Sequence, residues 1–243
     1  MSETQFLSTA TGRRIAYRFA AGHGPTLVFL PGYMSDMAGS KAQAVLAWAK
    51  AQGRACLLLD YSGCGASEGD FAEGALSRWR DEVLGLIAAQ CDGPVVLVGS
   101  SMGGWLMVLI ALAIPDRVAA LVGIAAAPDF TDWGYTAEQQ AQLAVGETVL
   151  EDNPYGPEPT PTWPGFWRDG QVQLLLDREI DLTCPVRLLH GQHDPDVPWE
   201  TALRLAQALR SADVQFCLVK DGDHRLSRTS DIALLLQTLA ALP

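Results

Sequence analysis

The sequence predicts an α/β fold, in which helices cover both faces of a mostly parallel β-sheet. Short runs of apolar and β-branched residues alternate along the 243-residue chain with longer segments of helical periodicity. Glycines and prolines bound most of the short runs, which is typical of buried strands that end in turns. A hydrophobic content of 49% over this length is sufficient for one large core. Because helices separate the strands, consecutive strands are expected to pair in parallel.

The first element expected is an antiparallel hairpin at one edge of the sheet. Two alternating segments, residues 5–9 and 14–19, flank a turn at Thr11 and Gly12. Buried strands are then expected at residues 26–30, 55–59, 95–98, 121–126, 186–189 and 215–219. They are separated by helical patterns near residues 38–51, 76–89, 102–114, 199–209 and 230–239.

Residues 131–180 break this alternation. Five of the 14 prolines and three of the seven tryptophans lie there. Thr136 and Gln139 form a capping-box pattern, which predicts a short helix at that point. Because irregular segments of this length in compact domains are usually lids, residues 131–180 are expected to cap the carboxyl ends of the strands. The core then consists of residues 1–130 and 181–243.

Charge and cysteine content exclude several classes of protein. A net charge of −11 argues against electrostatic binding to nucleic acid or to an anionic membrane. The five cysteines form no Cys-x-x-Cys pair, and Cys56, Cys184 and Cys217 lie in or beside strand-like runs. They are expected to be buried thiols of a reducing compartment. Since neither a signal peptide nor an apolar run long enough to span a membrane is evident, a cytoplasmic location without an integral membrane segment is expected.

One motif gives the strongest functional signal. Gly99-Ser100-Ser101-Met102-Gly103 lies between the strand at 95–98 and the helix at 102–114. The Gly-x-Ser-x-Gly pattern is typical of the nucleophile elbow of α/β-hydrolases, where a strained strand-to-helix turn exposes the serine hydroxyl. So sharp a turn leaves no room for Cβ atoms at the glycine positions. Ser101 is therefore the candidate nucleophile, and the alternative is an ordinary turn with two incidental serines.

A serine nucleophile needs a base within hydrogen-bond reach, and the chain has four histidines. His224 lies between the last expected strand and the last helix, where this fold presents its base, and is the predicted base. His23 is expected in a loop at the opposite end of the sheet. His190 is expected at a strand end, with its nitrogens bonded to backbone. His193 precedes the presumed acid without obvious reach to Ser101.

The base in turn needs an acid that fixes its tautomer and stabilises the imidazolium. Asp194 and Asp196 both lie in the loop after the strand at 186–189, and Asp194 is the predicted acid. The order serine, aspartate, histidine is then the order found in α/β-hydrolases. Asp196 and Asp129 stay open as alternatives, whereas Asp221 and Asp223 are expected to form turns.

Two backbone N–H groups are expected to hold the developing oxyanion. One belongs to Met102, directly after the candidate nucleophile. The other is expected from the loop Pro31-Gly32-Tyr33-Met34 after the strand at 26–30, with the N–H of Tyr33 as the predicted donor. Gly32 would allow a close approach of the backbone, and the alternative is that Pro31-Gly32 is simply a turn.

Several segments together resemble the α/β-hydrolase family that includes the mitochondrial palmitoyl-protein thioesterases, also called mycophenolic acid acyl-glucuronide esterases. They are Leu30-Pro-Gly-Tyr-Met-Ser35, Asp60-Tyr-Ser-Gly-Cys-Gly65, Gly99-Ser-Ser-Met-Gly-Gly-Trp-Leu106, Cys184-Pro-Val-Arg-Leu-Leu-His-Gly191, Val197-Pro-Trp199 and Asp223-His-Arg225. The resemblance spans nearly the whole chain and includes Ser101, Asp194 and His224. It implies the α/β-hydrolase fold and hydrolysis of S-acyl thioesters and carboxylic esters.

This chain departs from that family in two ways. No mitochondrial presequence is evident, which favours a bacterial relative, and the sequence of residues 131–180 differs, which leaves the natural acyl group open. The expected partner is a small-molecule or acylated-protein ester or thioester. No metal or cofactor is expected, because the histidines lack ligand spacing and no glycine-rich phosphate loop is present.

Aromatic residues of the expected cap are candidates for binding an apolar substrate. The predicted lining residues are Trp133, Tyr135, Trp163, Phe166 and Trp167, and Tyr155 lies in the same proline-rich stretch. The alternative is that these side chains anchor the cap to the core. Carbon–carbon bond hydrolysis, peptide cleavage on the same triad, and noncatalytic binding of a small ligand also stay open.

Overall fold

An eight-stranded mixed sheet is the centre of the computed structural model, which describes residues 3–9, 12–153 and 156–243. Its strands are β1 (Gln5–Ser8), β2 (Arg14–Ala20), β3 (His23–Leu30), β4 (Arg54–Leu59), β5 (Val95–Ser100), β6 (Val118–Ile124), β9 (Val186–Gly191) and β10 (Val214–Val219). They lie in the order β1-β2-β4-β3-β5-β6-β9-β10. β2 pairs antiparallel with β1 and β4, and all other neighbours are parallel. The predicted mostly parallel sheet is confirmed.

Helices cover both faces of this sheet, as predicted. The helices are α1 (Ser40–Ala51), α2 (Leu76–Gln90), α3 (Met102–Ala113), α4 (Phe130–Trp133), α5 (Ala137–Val145), α6 (Pro164–Val172), α7 (Glu200–Ala208) and α8 (Thr229–Ala240). Alternate residues of β5 point to opposite faces, because side chains alternate along a strand. Val95 and Leu97 belong to the core cluster that includes α2, α3 and α7, whereas Val96 and Val98 belong to the cluster that includes α1 and α8.

Most predicted elements are present with ends shifted by a few residues. The predicted hairpin forms as β1 and β2, while Thr11 of its turn lies outside the described residues. His23 begins β3 instead of lying in a loop, since its backbone pairs with Arg54 of β4 before the register shifts. β6 ends at Ile124, because Ala125 adopts a positive φ of 45° and turns the chain.

The segment between β6 and β9 contains α4, α5, α6 and a two-stranded ribbon formed by β7 (Val149–Glu151) and β8 (Thr160–Thr162). The predicted capping box of Thr136 and Gln139 begins α5. The ribbon was not predicted, because its strands have three residues each and Pro161 masks the strand pattern of β8.

The expectation that three strand cysteines are buried is correct only for Cys56. Cys184 is half-buried, and Cys217 is exposed. β10 is an edge strand, and alternate side chains on its exposed face meet solvent. Cys217 occupies one of those exposed positions.

Candidate active site

Ser101 lies at the sharp turn between β5 and α3, near the middle of the sheet. Its backbone adopts φ 55° and ψ −121°, an uncommon conformation for a residue with a side chain. The flanking glycines make this turn possible. A Cβ at Gly99 would overlap the backbone of Gly103, and a Cβ at Gly103 would overlap the carbonyl oxygen of Leu30.

Ser101, His224 and Asp194 form a continuous hydrogen-bonded chain. Ser101 Oγ lies 3.1 Å from His224 Nε2, and His224 Nδ1 lies 2.8 Å from Asp194 Oδ2. The second carboxylate oxygen, Asp194 Oδ1, accepts the backbone N–H groups of Asp196 and Val197, both at 2.9 Å. In this arrangement the carboxylate fixes one tautomer of the imidazole, and the imidazole presents a nitrogen to the serine hydroxyl.

Asp194 is held in its ionised form. Its side chain is 1% exposed, and burial alone would raise its pKa. Hydrogen bonds from His190 and His224 and the charge interaction with His224 outweigh burial and hold the pKa of Asp194 well below its usual range. A buried carboxylate with several N–H donors can therefore stabilise an imidazolium at His224.

Two neighbouring strands position the predicted acid and the predicted base. Asp194 lies in the loop after β9, and His224 lies in the loop after β10, which pairs in parallel with β9. The loops are in backbone contact, because a Cβ at Gly191 would overlap Gly222. The N–H of His193 also donates to the carbonyl oxygen of Gly222 at 2.9 Å.

Lys41 of α1 contacts the loop that holds His224. Its Nζ donates to the carbonyl oxygen of Arg225 and lies 3.5 Å from Ser227 Oγ. Burial, and secondly the positive charge of Arg225, lower the pKa of Lys41 to about 8. Sequence reasoning missed this residue, because its partner lies 184 residues away in the chain.

Asp129, one of the alternative acids, and Asp223, an expected turn residue, both have other contacts in the structure. Asp129 is 4% exposed, and its carboxylate accepts the backbone N–H groups of Leu175 at 2.8 Å and Leu176 at 2.7 Å. It thereby connects the beginning of the segment between β6 and β9 to its end. Asp223 accepts the N–H of Leu226 at 2.9 Å, which is the local bond expected of a turn residue.

His190 departs from its predicted environment. Its Nε2 lies 3.0 Å from the carbonyl oxygen of Val197, as expected of a backbone contact, but also 3.1 Å from Asp194 Oδ2. Its Nδ1 is buried without a hydrogen-bond partner among the described residues. The expectation that backbone groups satisfy both nitrogens is therefore wrong. The four-residue spacing from His190 to Asp194 was the available sequence signal for this contact.

The two predicted oxyanion donors belong to segments adjacent to Ser101. Met102 follows it directly in the chain. Gly32 lies against it, because a Cβ at Gly32 would be 3.3 Å from Ser101 Cβ, and Tyr33 is the next residue. In the described part of the chain, neither the N–H of Tyr33 nor that of Met102 donates to another protein group. Both N–H groups are available to a ligand oxygen.

The predicted aromatic residues are anchored by specific contacts. Indole N–H groups of Trp133 and Trp167 donate to the carbonyl oxygens of Pro128 and Thr131, at 2.8 and 2.9 Å. The hydroxyl groups of Tyr135 and Thr162 are hydrogen-bonded at 2.8 Å. Tyr155 lies outside the described residues.

Phe166 contacts Tyr33 directly, and Trp163 is connected to Tyr33 through Phe71. Phe166 is buried, and its ring centroid lies 5.0 Å from that of Tyr33. Trp163 packs against Phe71 at 5.6 Å, and Phe71 packs against Tyr33 at 4.9 Å. Sequence reasoning missed Phe71 and Phe130 as members of this cluster, since aromatic periodicity does not reveal contacts between distant segments.

One group of side chains in the described residues has the spacing of metal ligands. Asp194, Asp196 and His224 each offer one ligand atom, and these atoms lie within 4.8 Å of one another. Both nitrogens of His224 are directed to Asp194 and Ser101, so the hydrogen-bonded chain accounts for this geometry.

Comparison with known proteins identifies the family. Residues 27–234 match the alpha/beta hydrolase family. The chain belongs to this family. The solved structure of the mouse alpha/beta hydrolase domain-containing protein 10 superimposes with a TM-score of 0.91 at 38% identity, covering 98% of this chain and 97% of that one. A putative hydrolase from Agrobacterium vitis S4 gives 0.93 at 36% identity, covering 99% and 98%.

A curated mouse α/β-hydrolase is also similar in sequence over most of its length. The mitochondrial palmitoyl-protein thioesterase ABHD10 is 41% identical over 239 residues, which cover 96% of this chain and 80% of that protein. This finding confirms the resemblance on which the sequence expectations rest. The expected cytoplasmic location is wrong on this comparison, because this relative and its human counterpart are named as mitochondrial. Within the described residues, no helix combines the length and apolar character needed to cross a bilayer.

Proposed function

We propose that this chain is a serine hydrolase that cleaves acyl thioesters and carboxylic esters through an acyl-enzyme on Ser101. The observation that carries this proposal is the chain of hydrogen bonds from Ser101 through His224 to Asp194, at 3.1 and 2.8 Å. The strained backbone of Ser101 supports the role of nucleophile. The names of the mammalian relatives support the substrate class.

The proposed reaction begins when His224 Nε2 accepts the proton of Ser101 Oγ as this oxygen attacks the acyl carbonyl carbon. The carbonyl π electrons move to oxygen, and the N–H groups of Met102 and Tyr33 hold the oxyanion. The oxyanion then reforms the carbonyl and breaks the bond to the leaving sulfur or oxygen. His224 donates its proton to the leaving group, and the free thiol or alcohol departs.

Deacylation repeats these steps with water as the nucleophile. His224 removes a proton from the water, whose oxygen attacks the acyl-enzyme. When the second tetrahedral intermediate collapses, the bond to Ser101 Oγ breaks and this oxygen recovers a proton from His224. The carboxylic acid is released. Throughout, Asp194 keeps His224 in one orientation and stabilises its positive charge.

We further propose that residues 131–180 form the cap and that residues 1–130 and 181–243 form the core. Two contacts support this division. The Tyr33 hydroxyl donates to the carbonyl oxygen of Pro161 in β8, and Asp129 binds the backbone of Leu175 and Leu176. Phe166, which packs against Tyr33, and Trp163, which packs against Phe71, are then the foremost candidates for contact with an acyl chain. The other candidates in the same segment are Trp133, Tyr135 and Trp167.

The decisive experiment compares an ester and a thioester of the same acyl group on wild type, Ser101→Ala and Ser100→Ala. Ser101→Ala is expected to lower kcat by about a millionfold, as removal of a triad nucleophile does in other serine hydrolases. Ser100 is 8% exposed at the end of β5. The variant Ser100→Ala is the matched control, and it is expected to retain activity.

Labelling by a fluorophosphonate supplies a second readout. We expect the reagent to label the wild type and Ser100→Ala but not Ser101→Ala. Labelling of Ser101→Ala would assign the nucleophile to another serine. A wild type that neither labels nor hydrolyses either substrate would contradict the proposal and favour noncatalytic ligand binding.

A further inference from the structure

His190 contacts the carboxylate of Asp194 from within the sheet. It is the fifth residue of β9 and is fully buried, and its backbone pairs with Leu218 of β10. Its Nε2 lies 3.1 Å from Asp194 Oδ2 and 3.0 Å from the carbonyl oxygen of Val197. The catalytic scheme above assigns no role to this imidazole.

The surroundings of His190 determine its tautomer. Both atoms near Nε2 are acceptors, namely an ionised carboxylate oxygen and a backbone carbonyl oxygen, so Nε2 carries a proton and donates to them. Nδ1 is buried without a partner among the described residues. A second proton there would create a buried N–H without an acceptor, which is unfavourable. His190 is therefore a neutral donor in its Nε2–H form.

Asp194 Oδ2 thus receives two imidazole N–H groups, one from His190 and one from His224. Asp194 Oδ1 receives two backbone N–H groups from the loop itself, those of Asp196 and Val197. The loop bonds alone would let Oδ2 move with the loop. The bond from His190 connects Oδ2 to β9, whose backbone is hydrogen-bonded to β6 and β10.

We infer that His190 is a positioning residue that holds Asp194 Oδ2 toward His224 Nδ1. This inference rests on the proposed function, since it assigns a role to His190 in the same triad. Removing the N–H of His190 frees the carboxylate to rotate away from His224. The alignment of His224 with Ser101 then weakens, so turnover falls while substrate binding is largely retained.

Three substitutions test this role. His190→Leu removes the donor at a similar volume, whereas His190→Gln keeps a side-chain N–H that reaches the same acceptors. His193→Leu is the matched control, because His193 is an exposed imidazole of the same loop whose side chain forms no hydrogen bond within the described residues. The three variants and the wild type are assayed on the matched ester and thioester and for the rate of fluorophosphonate labelling.

The loss of one charged hydrogen bond predicts that His190→Leu lowers kcat by about tenfold or more, with KM within about twofold of wild type. His190→Gln is expected to restore most of kcat, and His193→Leu is expected to match wild type. The downfield Nδ1–H proton resonance of His224, assigned by its loss in His224→Gln, is expected to shift in His190→Leu but not in His193→Leu.

A folded His190→Leu with wild-type kcat and an unchanged His224 resonance overturns the inference. If His190→Leu fails to fold, the ¹⁵N resonances of His190 in the wild type provide the test. The Nε2–H tautomer at neutral pH is required, and the Nδ1–H tautomer or the imidazolium refutes the assignment. If the reagent labels the wild type but the wild type hydrolyses neither substrate, the proposed substrate class is wrong. The labelling rates of the variants then still test the role of His190.

Discussion

The hydroxyl of Tyr33 donates a hydrogen bond of 2.9 Å to the carbonyl oxygen of Pro161. The backbone N–H of the same tyrosine is the proposed oxyanion donor, so one residue joins the reaction site to the β7–β8 ribbon. Burial, and secondly the charge interaction with Tyr135, raise the pKa of the Tyr33 phenol. The hydroxyl therefore stays protonated and able to donate at neutral and moderately alkaline pH.

Tyr33→Phe is expected to lower kcat/KM by up to about tenfold, because a neutral hydrogen bond of this kind contributes about 0.5–1.5 kcal/mol. The backbone N–H is retained, so the loss reflects its position alone. Tyr17→Phe is the matched control, since Tyr17 donates a bond of the same length to Gln5 at the β1–β2 edge. Equal activities of the two variants would show that the contact with Pro161 does not position the oxyanion donor.

Asp194→Asn is expected to lower kcat by about ten-thousandfold, because an amide at this position favours the wrong imidazole tautomer. Asp196→Asn and Asp129→Asn are expected to cost far less. Asp129→Asn instead weakens the bonds to Leu175 and Leu176, so its main effect is on the midpoint of urea unfolding. Steady-state rates on one ester distinguish the three. A larger loss of kcat for Asp129→Asn than for Asp194→Asn would show that the catalytic acid is Asp129, in the loop after β6.

The dependence of activity on acyl-chain length tests whether the aromatic residues of the proposed cap contact the substrate. Each buried CH₂ contributes about 0.8 kcal/mol, so two added carbons are expected to raise kcat/KM roughly tenfold until the pocket ends. Trp163→Ala and Phe166→Ala are expected to flatten this profile, measured on esters from acetyl to palmitoyl. Trp48→Ala on α1 is the control, because Trp48 packs on the other face of the sheet. A profile that the two cap substitutions leave unchanged would assign those aromatics to packing alone.

Stability at alkaline pH tests the environment of Lys41. Its pKa is about 8 in the folded chain and near 10.5 when unfolded, so the unfolded chain binds more protons between these values. The contribution of Lys41 to the free energy of unfolding therefore rises as the pH increases from about 8 to about 10.5. Below pH 8, Lys41 is charged in the folded chain, and the full cost of burying this charge lowers the stability. Relative to Lys41→Met, the wild type is expected to gain about 3 kcal/mol across this interval in urea unfolding experiments. A constant difference between the two proteins would show that Lys41 is not buried in its charged form.

The sequence predicts the strands and the candidate site residues, but it does not predict the contacts between distant segments. Ser101 could be proposed as the nucleophile because the elbow is encoded by adjacent residues. Asp194 and His224 could be proposed as its partners because parallel strands bring their carboxyl ends to one edge. The contacts of Asp129 with Leu175 and of Tyr33 with Pro161 were not predictable. The first pair is separated by 46 positions and the second by 128. The residues around each partner contain no pattern that indicates the contact.

His190 illustrates a further limit. Its place at the end of β9 was predicted, but the distance from its Nε2 to Asp194 depends on how tightly the following loop turns back. That turn is set by two backbone bonds to Asp194 Oδ1 and by the contact of Gly191 with Gly222. Sequence periodicity reports which face of a strand is buried and does not report the course of such a loop.

The backbone contact between Gly191 and Gly222 also bears on the order in which the site comes apart. The proposed nucleophile and its proposed oxyanion donors follow β5 and β3 in the middle of the sheet, whereas His224 follows β10, which is at the edge of the described sheet. Strands at an edge open more readily than central ones. On heating, we therefore expect the loop that holds His224 to separate from Ser101 while the elbow is still folded, and we expect the contact between the two glycines to oppose this separation.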